Sequence, residues 1–172
     1  MTEFVTQFLF TNMEINPFKR NIMEMDYKVG EVELSYKSTV KHSERMKVTC
    51  SKDAYKVLRT TYREGTIEHK EYFKILLLNK GREVLGYTQI SEGGISSTIV
   101  DVRVILQIAI LCNASSIILA HNHPSGNLKP SREDKELTTQ TVQAAKLMSI
   151  QVADHIILSD EEYYSFSDEG LL

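Results

Sequence analysis

The chain has 172 residues, 42% of them hydrophobic, and a formal net charge of −3. That suits one core-bearing domain, excludes wholesale disorder, and supplies no general attraction to nucleic acid or anionic lipid. Its two cysteines, Cys50 and Cys112, stand far apart and make neither a CxxC pair nor a disulfide framework, and no apolar run is long enough to span a bilayer.

Residues 1–27 alternate weakly around Pro17 and read as an N-terminal arm or poorly ordered leader. Glu3 stands where a secretory signal would be basic, so the cytoplasm is the expected compartment. The alternation of Val29, Val32, Leu34 and Tyr36 predicts a half-buried strand over 28–38, an edge with which another chain's sheet can pair; oligomeric state has no other signature. Residues 51–64 open on Ser51 and space Ala54, Val57, Leu58 and Tyr62 at helical intervals, an amphipathic helix. Residues 71–91 are two apolar runs around Asn79-Lys80-Gly81, the mark of a hairpin. A Gly- and Ser-rich loop over 92–98 follows, and Thr98 with Asp101 three residues on marks a helix start. The next stretch, VRVILQIAILCNA, is apolar nearly all round and predicts a buried helix with Cys112 as a core thiol. Residues 115–120 read as a short buried strand. Residues 131–149 read as a capped helix with Leu137, Thr141, Ala144, Ala145 and Met148 on one face. Residues 150–159 are another strand, and the end of the chain is a turn with a short extended piece. No Gly-rich phosphate loop accompanies this alternation, so a dinucleotide-binding reading has no support.

The chemistry concentrates in ILAHNHPSGNLKPSRED, residues 118–134. His121 and His123 are two apart, so in an extended segment both rings face the same way and can reach one ion. Pro124 ends the strand, Gly126 and Asn127 let the chain turn back, and Asp134 enters at the first turn of the next helix as a third ligand. Two neutral imidazoles and one carboxylate would leave a divalent ion with a net charge of about +1, enough to acidify a bound water. The plainer reading stands beside this one: Ser131-x-x-Asp134 is close to a capping box. His155, on a core strand after Asp154, reads as structural or as a hydrogen-bond donor to a ligand rather than as a ligand. His42 and His69 have no supporting context.

His121-x-His123, seven residues, Ser131, two residues, Asp134 resembles the JAMM (MPN+) zinc metallopeptidase signature in every position. HNHPSG, DHIILS and YYSFSDEGLL make it similar to the RadC-like branch, over residues 28–172. Longer RadC proteins carry a helix-hairpin-helix domain ahead of this module; residues 1–27 hold no counterpart, so the short form is expected and DNA binding is not. The resemblance implies an α/β (α+β) fold of the JAMM/cytidine-deaminase-like kind, a mixed β-sheet flanked by helices. It implies one zinc per chain on His121, His123 and Asp134, with Ser131 hydrogen-bonding the oxyanion. It also implies a glutamate that takes a proton from the activated water and returns it to the leaving amine. Glu71, ahead of the first core strand, fits best, with Glu83 and Glu92 as competitors. The implied activity is a zinc metallopeptidase or amide hydrolase acting on a peptide or protein. Two other readings remain open: a non-catalytic MPN-type interaction module, and a DNA-repair-associated module suggested by the RadC name alone.

Overall fold

The structure, a computed structural model, describes residues 40–93 and 100–172. The arm expected over 1–27, the strand expected over 28–38, and residues 94–99 of the Gly-rich loop with Thr98 lie outside the described residues. Among the described residues no helix is long and apolar enough to cross a membrane.

Helix α1 is Ser51–Arg59. Asp53 ties down its first turn by accepting from the Thr49 N–H at 3.0 Å and the Thr49 hydroxyl at 2.6 Å. The helix stops at Arg59, short of the expected residue 64. The hydroxyls of Thr60 and Thr61 donate back to the carbonyls of Val57 and Leu58 at 2.7 and 2.6 Å, which competes with further helix. Tyr62 is buried as expected, but beyond the helix.

Strands β1 (Tyr72–Leu78) and β2 (Val84–Glu92) form the expected antiparallel hairpin. In its turn the Asn79 side chain accepts from the Glu83 N–H at 2.9 Å. Helix α2 is Val102–Leu111, and its cap is Asp101, whose carboxylate accepts from the Arg103 N–H at 2.9 Å. This corrects the Thr98 start. It also corrects the expectation of a helix buried all round: Ile105 and Ala109 are 0% exposed, whereas Ile110 and Leu111 are each 44% exposed. A helix in an outer layer turns only one stripe to the sheet, whatever its composition. Cys112, at the end of this helix, is half-buried rather than core, and burial pushes its thiol pKa up.

Strand β3 is Ser116–Asn122, extending past the expected residue 120 to include His121. Helix α3 is Arg132–Leu147. Its buried face is Thr138, Thr141 and Ala145, while Leu137 and Ala144 are only half-buried and Met148, past the last turn, is 54% exposed. Strands β4 (Gln151–Leu158) and β5 (Tyr163–Ser165) complete the sheet.

The sheet order is β2-β1-β3-β4-β5, with β3 and β4 parallel and the other neighbours antiparallel. This mixed sheet flanked by helices is the expected fold. On one face Ala54, Val57 and Leu58 of α1 pack on Leu76, Leu78, Ile118, Ala120, Ile156 and Leu158. On the other, Ile105, Ala109 and Ala145 of α2 and α3 pack on Phe73, Ile75, Leu77, Ile117 and Leu119. Leu58 is fully buried at the centre of the first layer, so Leu58→Ala is expected to lower unfolding free energy by about 3 kcal/mol, checked by urea denaturation.

Two details place the site. The parallel pair β3 and β4 is joined by α3, so the carboxyl end of β3 opens onto the start of that helix, where ligands bind in such sheets. A bulge in β4 lets Ile117 pair with Val152 but Ile118 with Asp154. The extra residue, Ala153, shifts the alternation so that Asp154 lies on the α1 face and His155 on the α3 face.

Candidate metal centre

His121, inside β3, shares its face with Ile117 and Leu119 and is buried, its ring stacked on Phe73 with centroids 5.9 Å apart. His123 follows the strand end. Its N–H donates to the Leu158 carbonyl at 3.1 Å, which carries the parallel ladder one step further. The chain then turns at Gly126, which takes φ 73° and donates to the His123 carbonyl at 2.9 Å. On the far side of that turn the Asn127 carbonyl meets His123 Nδ1. A carbonyl only accepts, so Nδ1 carries a hydrogen and His123 turns Nε2 inward.

Asp134 is the third residue of α3 and completes a capping box with Ser131. The Ser131 hydroxyl accepts from the Asp134 N–H at 3.0 Å, and Asp134 Oδ2 accepts from the Ser131 N–H and hydroxyl, each at 2.7 Å. The box holds one carboxylate oxygen and leaves Oδ1 toward the histidines. The capping-box reading of this segment holds, and the box is what aims the carboxylate at the histidines. Burial alone would raise the Asp134 pKa, but the His121 ring beside it and the two Ser131 donors outweigh it and hold it well below the usual carboxylate range.

The three side chains meet. His121 Nε2 is 3.0 Å from His123 Nε2 and 3.2 Å from Asp134 Oδ1, and His123 Nε2 is 3.8 Å from Asp134 Oδ2. Among the described residues they form a His-His-Asp group able to hold a metal ion. Donors about 2.0–2.2 Å from a tetrahedral ion stand roughly 3.3 Å from one another, which is the spacing found. Two imidazole nitrogens and a carboxylate are zinc-type donors, and converging lone pairs repel unless a cation lies among them.

Glu71 directly precedes β1 and is half-buried, and its carbonyl accepts from the Gly93 N–H at 2.9 Å. Phe73 pairs with His121, so continuing that register two residues sets Glu71 opposite His123. Burial, followed by the charge of Glu71, raises the Tyr62 pKa. Of its competitors, Glu83 is in the hairpin turn at the opposite end of β1, bound to Asn79 and His42. Glu92 is at the near end, paired with Lys70 at 2.7 Å.

Asn122 and Thr138 were silent in the sequence, whereas His155 was read there as structural or as a hydrogen-bond donor. Asn122, between the two histidines, faces the other side of the sheet and is fully buried. Its side chain accepts from the Tyr72 N–H at 2.8 Å and donates to the Ile67 and Lys70 carbonyls, both at 2.7 Å, pinning the segment that ends in Glu71. Its one signal was a polar residue on the core side of a strand end. His155 touches His121, and Thr138 touches His155. His155 is fully buried; burial, then the charge of His121, pushes its pKa well below the usual histidine value.

A family model described as "RadC-like JAB domain" matches residues 48–171. The chain belongs to the RadC-like JAB domain family. Among its relatives is a UPF0758 protein of Flavobacterium johnsoniae, 40% identical over 125 residues, covering 73% of this chain and 53% of that protein. A UPF0758 protein of Salinibacter ruber is 35% identical over 158 residues, covering 92% of this chain and 65% of that protein. UPF0758 protein SH1266 of Staphylococcus haemolyticus is 33% identical over 162 residues, 94% of this chain and 68% of that protein. The chain thus spans between half and two thirds of the first two relatives' length. The names of these RadC-like relatives state no activity. The family and fold expected from the H-x-H-x7-S-x2-D pattern are those found.

Proposed function

We propose that this RadC-like JAB domain is a zinc-dependent hydrolase of peptide or isopeptide bonds in a protein substrate. The observation that supports it is the convergence of His121 Nε2, His123 Nε2 and the Asp134 carboxylate at the carboxyl end of β3. Zinc, one ion per chain, would supply a Lewis acid that acidifies water and polarises a carbonyl. The chain's own residues do the rest. His121 and His123 present neutral imidazoles. Ser131 orients the Asp134 carboxylate through its N–H, and its hydroxyl, released from Oδ2, donates to the oxyanion as the carbonyl becomes tetrahedral. Glu71 accepts the proton of the attacking water and delivers it to the leaving amine, so that it ends the cycle ionised as it began.

Metal analysis of the purified chain beside His123→Ala and Asp134→Asn tests this. About one zinc per chain in wild type, lost from both variants, is the expected result. A wild-type chain that takes up no zinc even on reconstitution overturns it and leaves the interaction module as the better reading.

A further inference from the structure

Behind His121 lies a chain of hydrogen bonds whose directions are set from one end. Thr138 Oγ1 is 2.6 Å from the Asp134 carbonyl, which only accepts, so the hydroxyl proton lies there. The same oxygen is 2.6 Å from His155 Nδ1. With its single proton committed, the hydroxyl accepts, and the hydrogen of that contact belongs to His155 Nδ1. The His155 ring is fully buried, stacked on Phe166 at 4.6 Å and meeting the edge of Phe73 at 5.7 Å, with no carboxylate bonded to either nitrogen. An imidazole in such surroundings is neutral, so its Nε2 is a lone pair. His121 Nδ1, 2.8 Å from that Nε2, must then be the donor. On this reasoning His155 accepts from His121 and donates to Thr138.

The direction matters because it sets which His121 nitrogen carries the hydrogen shared with His155. With it on Nδ1, the nitrogen facing His123 and Asp134 is left as a lone pair. The relay begins on the ring of one ligand and ends on the backbone of another. The C-terminal motif holds it from behind. Asp154 accepts from the Ser165 hydroxyl at 2.7 Å, the Ser167 N–H at 3.0 Å and the His155 N–H at 2.7 Å, while the Phe166 N–H donates to the His155 carbonyl at 3.0 Å. These bonds lay Phe166 on the His155 ring.

We propose that Thr138 and His155 are positioning residues that lock His121 in the Nδ1–H tautomer and so keep its Nε2 lone pair available to a metal ion. This rests on the metal-binding reading above, and the tautomer and affinity readouts separate the failure of one from the failure of the other.

The experiment has two readouts on the full chain. Long-range ¹H–¹⁵N NMR of the metal-free protein reads each imidazole's tautomer, and competition with a chromophoric chelator reads zinc affinity. Wild type is expected to show the hydrogen on Nδ1 of both His121 and His155. Thr138→Val removes the acceptor, so His155 shifts its hydrogen to Nε2 and His121 is driven to the Nε2–H form. Zinc affinity then falls about 10–100-fold, while Thr138→Ser, which keeps the hydroxyl, matches wild type. A wild-type His121 carrying its hydrogen on Nε2, or a Thr138→Val chain with unchanged tautomers and affinity, overturns the proposal. The expected tautomers in a chain that binds no zinc sustain the relay and sink the zinc reading.

Discussion

Glu71→Gln is expected to leave zinc content and unfolding midpoint at wild-type values while amide hydrolysis falls about 10²–10⁴-fold. Gln has nearly the shape of Glu but cannot take a proton from water, so the loss isolates proton transfer in the proposed reaction. Glu71 is half-buried at the entry to β1, and the continued register of Phe73 with His121 sets it opposite His123. Glu92→Gln is the control, because that carboxylate is bound to Lys70 and faces a different demand. It should change hydrolysis only weakly. Wild-type rates in Glu71→Gln with a collapse in Glu92→Gln would transfer the role to Glu92. A wild-type chain that binds zinc and cleaves no amide would instead favour the interaction module.

Asn122→Ala is expected to destabilise the fold by about 3 kcal/mol, seen as a drop in Tm of roughly 6–12 °C. The substitution strips partners from the Tyr72 N–H and from the carbonyls of Ile67 and Lys70, all at a fully buried side chain. Buried polar groups left unpaired carry their whole desolvation penalty. Zinc affinity should stay within a few-fold of wild type, as the histidines point to the opposite face, whereas hydrolysis should fall with the loosened segment ahead of Glu71. An unchanged Tm would mean that water replaces all three bonds and that Asn122 is not the pin inferred from its contacts.

The candidate metal ligands were legible in the sequence because their geometry is local. Two histidines at i and i+2 share a face in any extended strand, and a carboxylate three residues into a capped helix is placed by the cap itself. The hairpin at Asn79-Lys80-Gly81 and the alternation of strands with helices follow from equally short-range chemistry. Burial around α2 was not legible: an all-apolar helix exposes Ile110 and Leu111 because only its position in an outer layer decides how many stripes find a partner. Likewise α1 ends early because the hydroxyls of Thr60 and Thr61 reach back to its last carbonyls, a competition that spacing does not reveal. The layer behind the ligands was hidden for a sharper reason. Strict alternation from Val152 would set His155 on the far side of the sheet from His121; one bulged residue, Ala153, brings it round to the same face. Thr138 from α3, Phe73 from β1 and Phe166 from the C-terminal segment then meet it there. Sequence by itself picked out the side chains that could hold an ion, through bonds and turns a few residues long. Only the tertiary structure decided which hydrogens those rings keep, because that depends on partners 17 and 34 residues away brought together by the sheet.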